Sequence, residues 1–213
     1  MKALFYPRWD SLEIAEVPTP TPGPGEGLVQ VHSCGICGSE LDSFRARSPR
    51  RPPPLVMGHE FCGVVADCGP ERNEMERWRQ RHLTRSSALW KVSTLPEQLT
   101  NLCTARQVFG MHRAGAFGEF VSVPERVLFQ WPTTLTAGEA TMAEPLANGV
   151  NVIQIDPSIS KERVIVLGAG PIGLMCMVAA RSIAKSSVIV SDLIVTACRS
   201  HENWAQWPRL IRS

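Results

Sequence analysis

"RVIVLGAGPIGLMCMVAARSIAKSSVIVSD", residues 163–192, decides how the second half of this chain folds. It runs from a β-branched stretch through a glycine-rich turn into an apolar helical stretch, and a second β-branched run closes it at Asp192. Strand, turn, helix and strand in that order make a βαβ unit. Its "GAGPIG" (168–173) fits the G-x-G-x-x-G fingerprint in the setting that gives the pattern meaning, after a strand and opening a helix. Gly168 is expected to make the turn, Gly170 to let the backbone approach a pyrophosphate, and Gly173 to let helix and strand pack closely. The helix N-terminus offers its N–H groups and the positive end of its dipole to phosphates. Asp192 lies 19 residues beyond Gly173. An acid there can bond the ribose hydroxyls of NAD and would repel the 2′-phosphate of NADP. The competing reading is a tight turn in some other α/β protein.

Upstream the text changes character. "KALFY", "LEIAEV" and "LVQVHS" are short strand-like runs, interrupted by "PTPTPGPGEG", which reads as a turn. Further short apolar runs at 55–66, 117–123 and 127–131 are each bounded by Gly or Pro, the pattern of a small β-barrel or sandwich. "TAGEATMAEPLANGVNVIQ" (136–154) is helix-like. The change from β-rich to α/β text falls near 145–160, giving a first domain at 1–150 and a second at 151–213.

Composition narrows the function. A net charge of +2 over 213 residues argues against nucleic acid or an anionic membrane as partner. The N-terminus lacks the apolar core of a signal peptide, and the longest apolar run is broken by "GAGPIG". Seven cysteines without a secretion signal read as thiols, so a cytoplasmic protein is expected. "CGICGSE" (34–40) is followed by "GHE" (58–60). Thiolate, imidazole and carboxylate are zinc donors, and three protein ligands leave a catalytic zinc one open position. Alone, "CGIC" also fits a redox pair or half a zinc ribbon, and "GHE" is weaker still.

In combination and order, "CGICGSE", "GHEFCGVV", "NLC", "GAFGEFVSVP", "AEPLA" and "VLGAGPIGL" resemble the zinc-dependent medium-chain dehydrogenases, most of all their polyol and threonine branch. The resemblance spans about 1–70 and 101–194. It implies a β-rich GroES-like catalytic domain followed by an incomplete α/β Rossmann domain for NAD. It also implies one catalytic zinc held by Cys37, His59 and Glu60, with Glu144 of "AEPLA" able to replace or assist Glu60. Cys34 becomes a packed small hydrophobe. Ser39 matches the hydroxyl that relays a proton from the bound alcohol, and Glu40 the acid that orients the zinc-bound histidine. Asp42 departs from the family, where His is frequent. The implied reaction moves a hydride between a secondary alcohol or polyol and NAD. Family members are commonly dimers or tetramers, so the resemblance implies a homo-oligomer, weakened here because the missing strands include interface parts. The alternative is a non-catalytic zinc-binding or partner-binding fragment.

Two segments break the pattern. The family carries a structural zinc lobe with cysteines spaced C-x2-C-x2-C-x7-C, of which only the last is present, as Cys103, so that site is expected to be lost. In its place 72–98 is a divergent insert. Codons chosen for Ala88 to Gln98 can be re-read from the second base as H-C-G-K-C-Q-H-C-R-S-N, which restores three cysteines at the family spacing. Val195 to Ala205, re-read from the third base, similarly permits a family-like continuation. The expectation is therefore that 72–98 and 195–213 are out-of-frame text, with a divergent surface loop and a natural short tail as the alternatives. From Glu71 to Arg85, five Arg against three Glu leave a net +2, a solvated face and not a nucleic-acid platform. On this reading the truncated chain is a poor or inactive dehydrogenase.

Overall fold

The computed structural model describes residues 1–70 and 106–193, together with the backbone of 82–86. They form two compact units that divide between Ala143 and Glu144.

The first unit is built from two sheets. Strand β1 (Lys2–Arg8) pairs antiparallel with β2 (Ser11–Glu16) on one edge and β4 (Leu55–Val56) on the other. The larger sheet has five strands, β3 (Glu26–Gly35), β5 (Glu60–Cys68), β6 (His82–Ser86), β7 (Phe120–Pro124) and β8 (Phe129–Gln130), in the order β7-β3-β5-β6-β8. Alternate side chains of these strands fall on one face, as the two-residue period requires. There Val29, Phe61, Val65, Val121 and Val123 pack with Phe109 and Ala116 as one core. Glu26, at the start of β3, ties that strand to β7 and to the segment that precedes it. Its Oε1 accepts from Arg113 Nη2 at 2.9 Å and its Oε2 from Ser122 Oγ at 2.7 Å.

Strand β6 lies inside the segment read from sequence as a divergent insert. Its backbone pairs with β5 from Glu60↔Ser86 to Val64↔His82, and with β8 on the other side. "HLTRS" shows no alternation of apolar residues, so nothing in it announces a strand. Pairing of the outer N–H and C=O groups of β5 is what this strand supplies. The remainder of 72–98, Cys103 and 195–213 lie outside the described residues, and so do the frame-shift readings and the expected loss of the structural zinc site.

The helix-like text at 136–154 resolves into two helices. Thr136 opens α2 (Ala137–Thr141): its Oγ1 accepts from Glu139 N–H at 3.3 Å while Glu139 Oε2 accepts from Thr136 N–H at 2.8 Å. Pro145 has no N–H to continue the ladder back to Thr141, so the chain restarts as α3 (Ala143–Ile155) with the proline in its first turn.

The second unit contains the βαβ element expected from "GAGPIG". Strands β9 (Arg163–Leu167) and β10 (Ser187–Ser191) run parallel, with Val164↔Val188 and Val166↔Val190 in register. Helix α4 (Pro171–Ser182) connects them and buries Met177 and Ala180 against Val188 and Val190. No helix among the described residues is long and apolar enough to cross a membrane.

Candidate metal centre

Antiparallel pairing brings the two sequence motifs to one place. Gly35, at the end of β3, lies opposite Glu60, at the start of β5. Two residues past Gly35 the chain turns through Cys37 into helix α1 (Gly38–Arg45). One ligand atom each from Cys37, His59 and Glu60 therefore come within 4.8 Å of one another. His59 is 6 % exposed and Glu60 9 %, so both donors are withdrawn from water.

Glu40 organises this cluster from beneath. It is 2 % exposed, and its Oε1 accepts from Gly58 N–H at 2.7 Å and meets His59 Nδ1 at 3.0 Å. Its Oε2 accepts from Cys37 N–H at 3.1 Å. One carboxylate thus fixes the backbone on both sides of the cluster. It also places the imidazole proton on Nδ1, which makes Nε2 the nitrogen available to a metal. Two glycines make the close approach feasible. Gly58 has φ +97, and a Cβ there would lie 2.8 Å from Phe117 N. A Cβ at Gly35 would lie 2.3 Å from Glu60 Oε2, so the missing side chain of Gly35 is the space that the Glu60 carboxylate occupies.

Cys34 lies outside the cluster and packs against the core of the sheet. Burial pushes its thiol well above the usual range, and the Glu40 and Glu60 carboxylates push it further. A thiol held protonated in this way is a poor metal ligand. Ser39 is exposed, and its Oγ donates to Cys37 Sγ at 3.3 Å. Two contributors escaped the sequence reading. Gly35 was visible only as part of "CGICGSE", where nothing tied it to Glu60. Arg51 is 4 % exposed and hydrogen-bonds to Ser39, and nothing in "SPRRPPP" separates it from Arg50.

In the second unit the glycine loop has the geometry its spacing calls for. Gly168 sits at φ +106, where a side chain is strained, and a Cβ at Gly173 would lie 1.9 Å from Gly168 O. At Gly170, the residue capping α4, a Cβ would meet nothing within 4 Å, so that side of the loop is open. The Asp192 carboxylate reaches back to the loop, its Oδ2 accepting from Ala169 N–H at 2.7 Å. Glu144 lies in the first turn of α3, in the second unit, whereas the three clustered donors all belong to the first.

Comparison with known proteins agrees with both halves. The family described as alcohol dehydrogenase GroES-like domain matches residues 23–133. L-threonine 3-dehydrogenase of Pyrococcus horikoshii is 33 % identical over 184 residues, covering 84 % of this chain and 52 % of that protein. A solved structure of a short chain alcohol dehydrogenase, RspB of Escherichia coli, complexed with NADH, is 29 % identical with a TM-score of 0.88, over 100 % of this chain and 62 % of that one. A Sinorhizobium meliloti protein described as a zinc-binding dehydrogenase and bound to NADP is 30 % identical with a TM-score of 0.84, over 99 % of this chain and 60 % of that one. The chain spans about half the length of the curated relatives it matches, 52 % for the Pyrococcus enzyme.

Proposed function

This chain belongs to the zinc-dependent medium-chain alcohol dehydrogenase family, and from that premise we propose that Cys37, His59 and Glu60 hold one catalytic zinc. We propose further that the protein moves a hydride between a secondary alcohol or polyol and NAD. The single observation that carries this reading is the donor set: sulfur, imidazole nitrogen and carboxylate oxygen within 4.8 Å of one another. Those three donors suit zinc. With a neutral imidazole, the thiolate and carboxylate balance a divalent charge. The Glu40 contact to His59 Nδ1, 3.0 Å long, supplies the outer hydrogen bond that zinc-binding histidines require.

When bound, zinc supplies Lewis acidity toward a substrate oxygen and the nicotinamide supplies the hydride acceptor. The remaining work falls to side chains. Glu40 holds the imidazole and the Cys37 backbone in one orientation, so the donors do not reorganise during turnover. The exposed Ser39 hydroxyl, beside Cys37 Sγ, is the group placed to relay the alcohol proton, releasing its own hydrogen toward solvent as it takes that of the alcohol. In the second unit the open side of Gly170 and the N-terminus of α4 receive the pyrophosphate. The Asp192 carboxylate bonds the ribose and disfavours a 2′-phosphate, which selects NAD over the NADP seen in the Sinorhizobium relative. Glu144 as a substitute carboxylate rests on the "AEPLA" motif alone.

The test pairs metal analysis with dehydrogenation of a panel of secondary alcohols, polyols and L-threonine. The proposal expects one zinc per chain that Cys37→Ser abolishes, and whatever NAD reduction the chain supports to be lost with it. Zinc retained by Cys37→Ser would overturn the ligand assignment. Zinc binding without dinucleotide binding would favour a non-catalytic zinc-binding protein.

A further inference from the structure

Arg51 is an anomaly in the first unit. It is 4 % exposed, yet its guanidinium hydrogen-bonds to no carboxylate among the described residues. Nε donates to Gly110 O at 3.0 Å, Nη1 to Ser39 O at 2.9 Å and to Ser43 Oγ at 2.7 Å, and Nη2 to Ser39 Oγ at 3.2 Å. Burying a cation without a paired anion is costly, so four well-placed oxygens have to hold it there. Two of the four belong to Ser39, whose backbone and side chain it grips together. The rigid fork of a guanidinium does this, whereas the single ammonium of lysine cannot copy it.

The consequence falls on the Ser39 proton. The Ser39 oxygen has one hydrogen to give and two lone pairs to receive. Arg51 Nη2 takes one lone pair, and the acceptor of the hydrogen is Cys37 Sγ at 3.3 Å. The second lone pair remains for a donor arriving from solvent, on which side Ser39 is exposed. We propose that Arg51 is a positioning residue: it fixes the rotamer of Ser39 so that the hydroxyl hydrogen points at the Cys37 sulfur and one oxygen lone pair faces the substrate. This rests on the reading of Cys37, His59 and Glu60 as a metal centre. It adds to that reading the device by which a hydroxyl on an exposed helix turn keeps one orientation.

The sulfur itself reports on this arrangement. Loading the full chain with Co2+ alone gives a thiolate-to-cobalt charge-transfer band whose energy rises when the sulfur accepts a hydrogen bond. Arg51→Lys keeps the charge but not the fork, so the band should move to longer wavelength, as it should in Ser39→Ala. The double variant should move no further than Ser39→Ala alone, because both changes remove the same hydrogen bond. A band unmoved in a folded Arg51→Lys chain overturns the proposal. So does a lysine effect as large in the Ser39→Ala background as in the wild type, which is what a purely structural arginine would give. If Arg51→Lys does not fold, Ser43→Ala keeps the guanidinium and removes one anchor. It should shift the band in the same direction, and an unmoved band there also overturns the proposal. Absence of any thiolate band in the wild type would instead remove the metal centre, and the proposal with it.

Discussion

Gly35→Ala should weaken zinc binding while leaving the fold almost as stable as before. Gly35 sits in β3 without a positive φ, so alanine suits its backbone. The new Cβ would lie 2.3 Å from Glu60 Oε2 and 3.2 Å from Glu60 Cβ. Ordinary contact distances require the carboxylate oxygen to retreat by about 1 Å. Overpacking costs ~1–3 kcal/mol, and the low end applies because the clashing atom ends a flexible side chain. Replacing glycine returns ~0.4–1 kcal/mol through the unfolded chain. The two nearly cancel, and the net change in stability should stay within about 1 kcal/mol. Metal sites tolerate only about ±0.2 Å in ligand distance, so the same displacement takes Glu60 out of reach. Zinc affinity should fall at least ~10–100-fold, the scale at which even outer contacts of a metal site act. Urea unfolding and competition against a chromophoric zinc chelator measure the two quantities separately. Unchanged zinc affinity in a stably folded variant would refute the idea that Glu60 binds metal from this position.

Glu40→Gln replaces one of two accepting oxygens by a donor, leaving Gly58 N–H or Cys37 N–H without its acceptor. It should cost ~1–3 kcal/mol of stability by chemical denaturation and weaken zinc in the same chelator assay. Gly170→Ala should fold normally yet lose NAD binding by calorimetry. Gly173→Ala, whose Cβ would lie 1.9 Å from Gly168 O, should destabilise the second unit itself. Burial raises the Glu26 pKa, but hydrogen bonds from Ser122 and Arg113 outweigh it, so the net shift is downward. A carboxyl with a depressed folded pKa contributes stability above its unfolded pKa and loses it as pH falls through the folded value. Glu26→Gln should therefore destabilise the protein at neutral pH, with the difference from wild type shrinking below the ordinary carboxylate range in denaturant midpoints measured against pH.

Local signals carried most of the fold. The βαβ unit was legible because β-branched runs, a glycine loop and an apolar helix follow one another with no insertion between them. The strands of the first unit were legible as short runs because Gly and Pro bound them. What could not be read was pairing: that Gly35 lies opposite Glu60, or that His82–Ser86 supplies a strand to β5, depends on chain segments meeting across long separations. The split of 136–154 into two helices was written in Thr136, Glu139 and Pro145, but the apolar periodicity across them masked it. The donor trio follows from the family that the ordered motifs resemble, while Arg51 has no such signal. Its role depends on Ser39, Ser43 and Gly110 converging on one guanidinium, and arginine next to arginine in a proline-rich stretch carries no trace of that.

X-ray absorption at the zinc edge of the metal-loaded chain is decisive for the ligand set. One zinc is expected, its nearest shell holding a single sulfur at about 2.3 Å and nitrogen or oxygen neighbours at about 2.0–2.2 Å, with the sulfur lost in Cys37→Ser and retained in Cys34→Ser. A shell of several sulfurs, or a single sulfur that survives in Cys37→Ser, would contradict that ligand set.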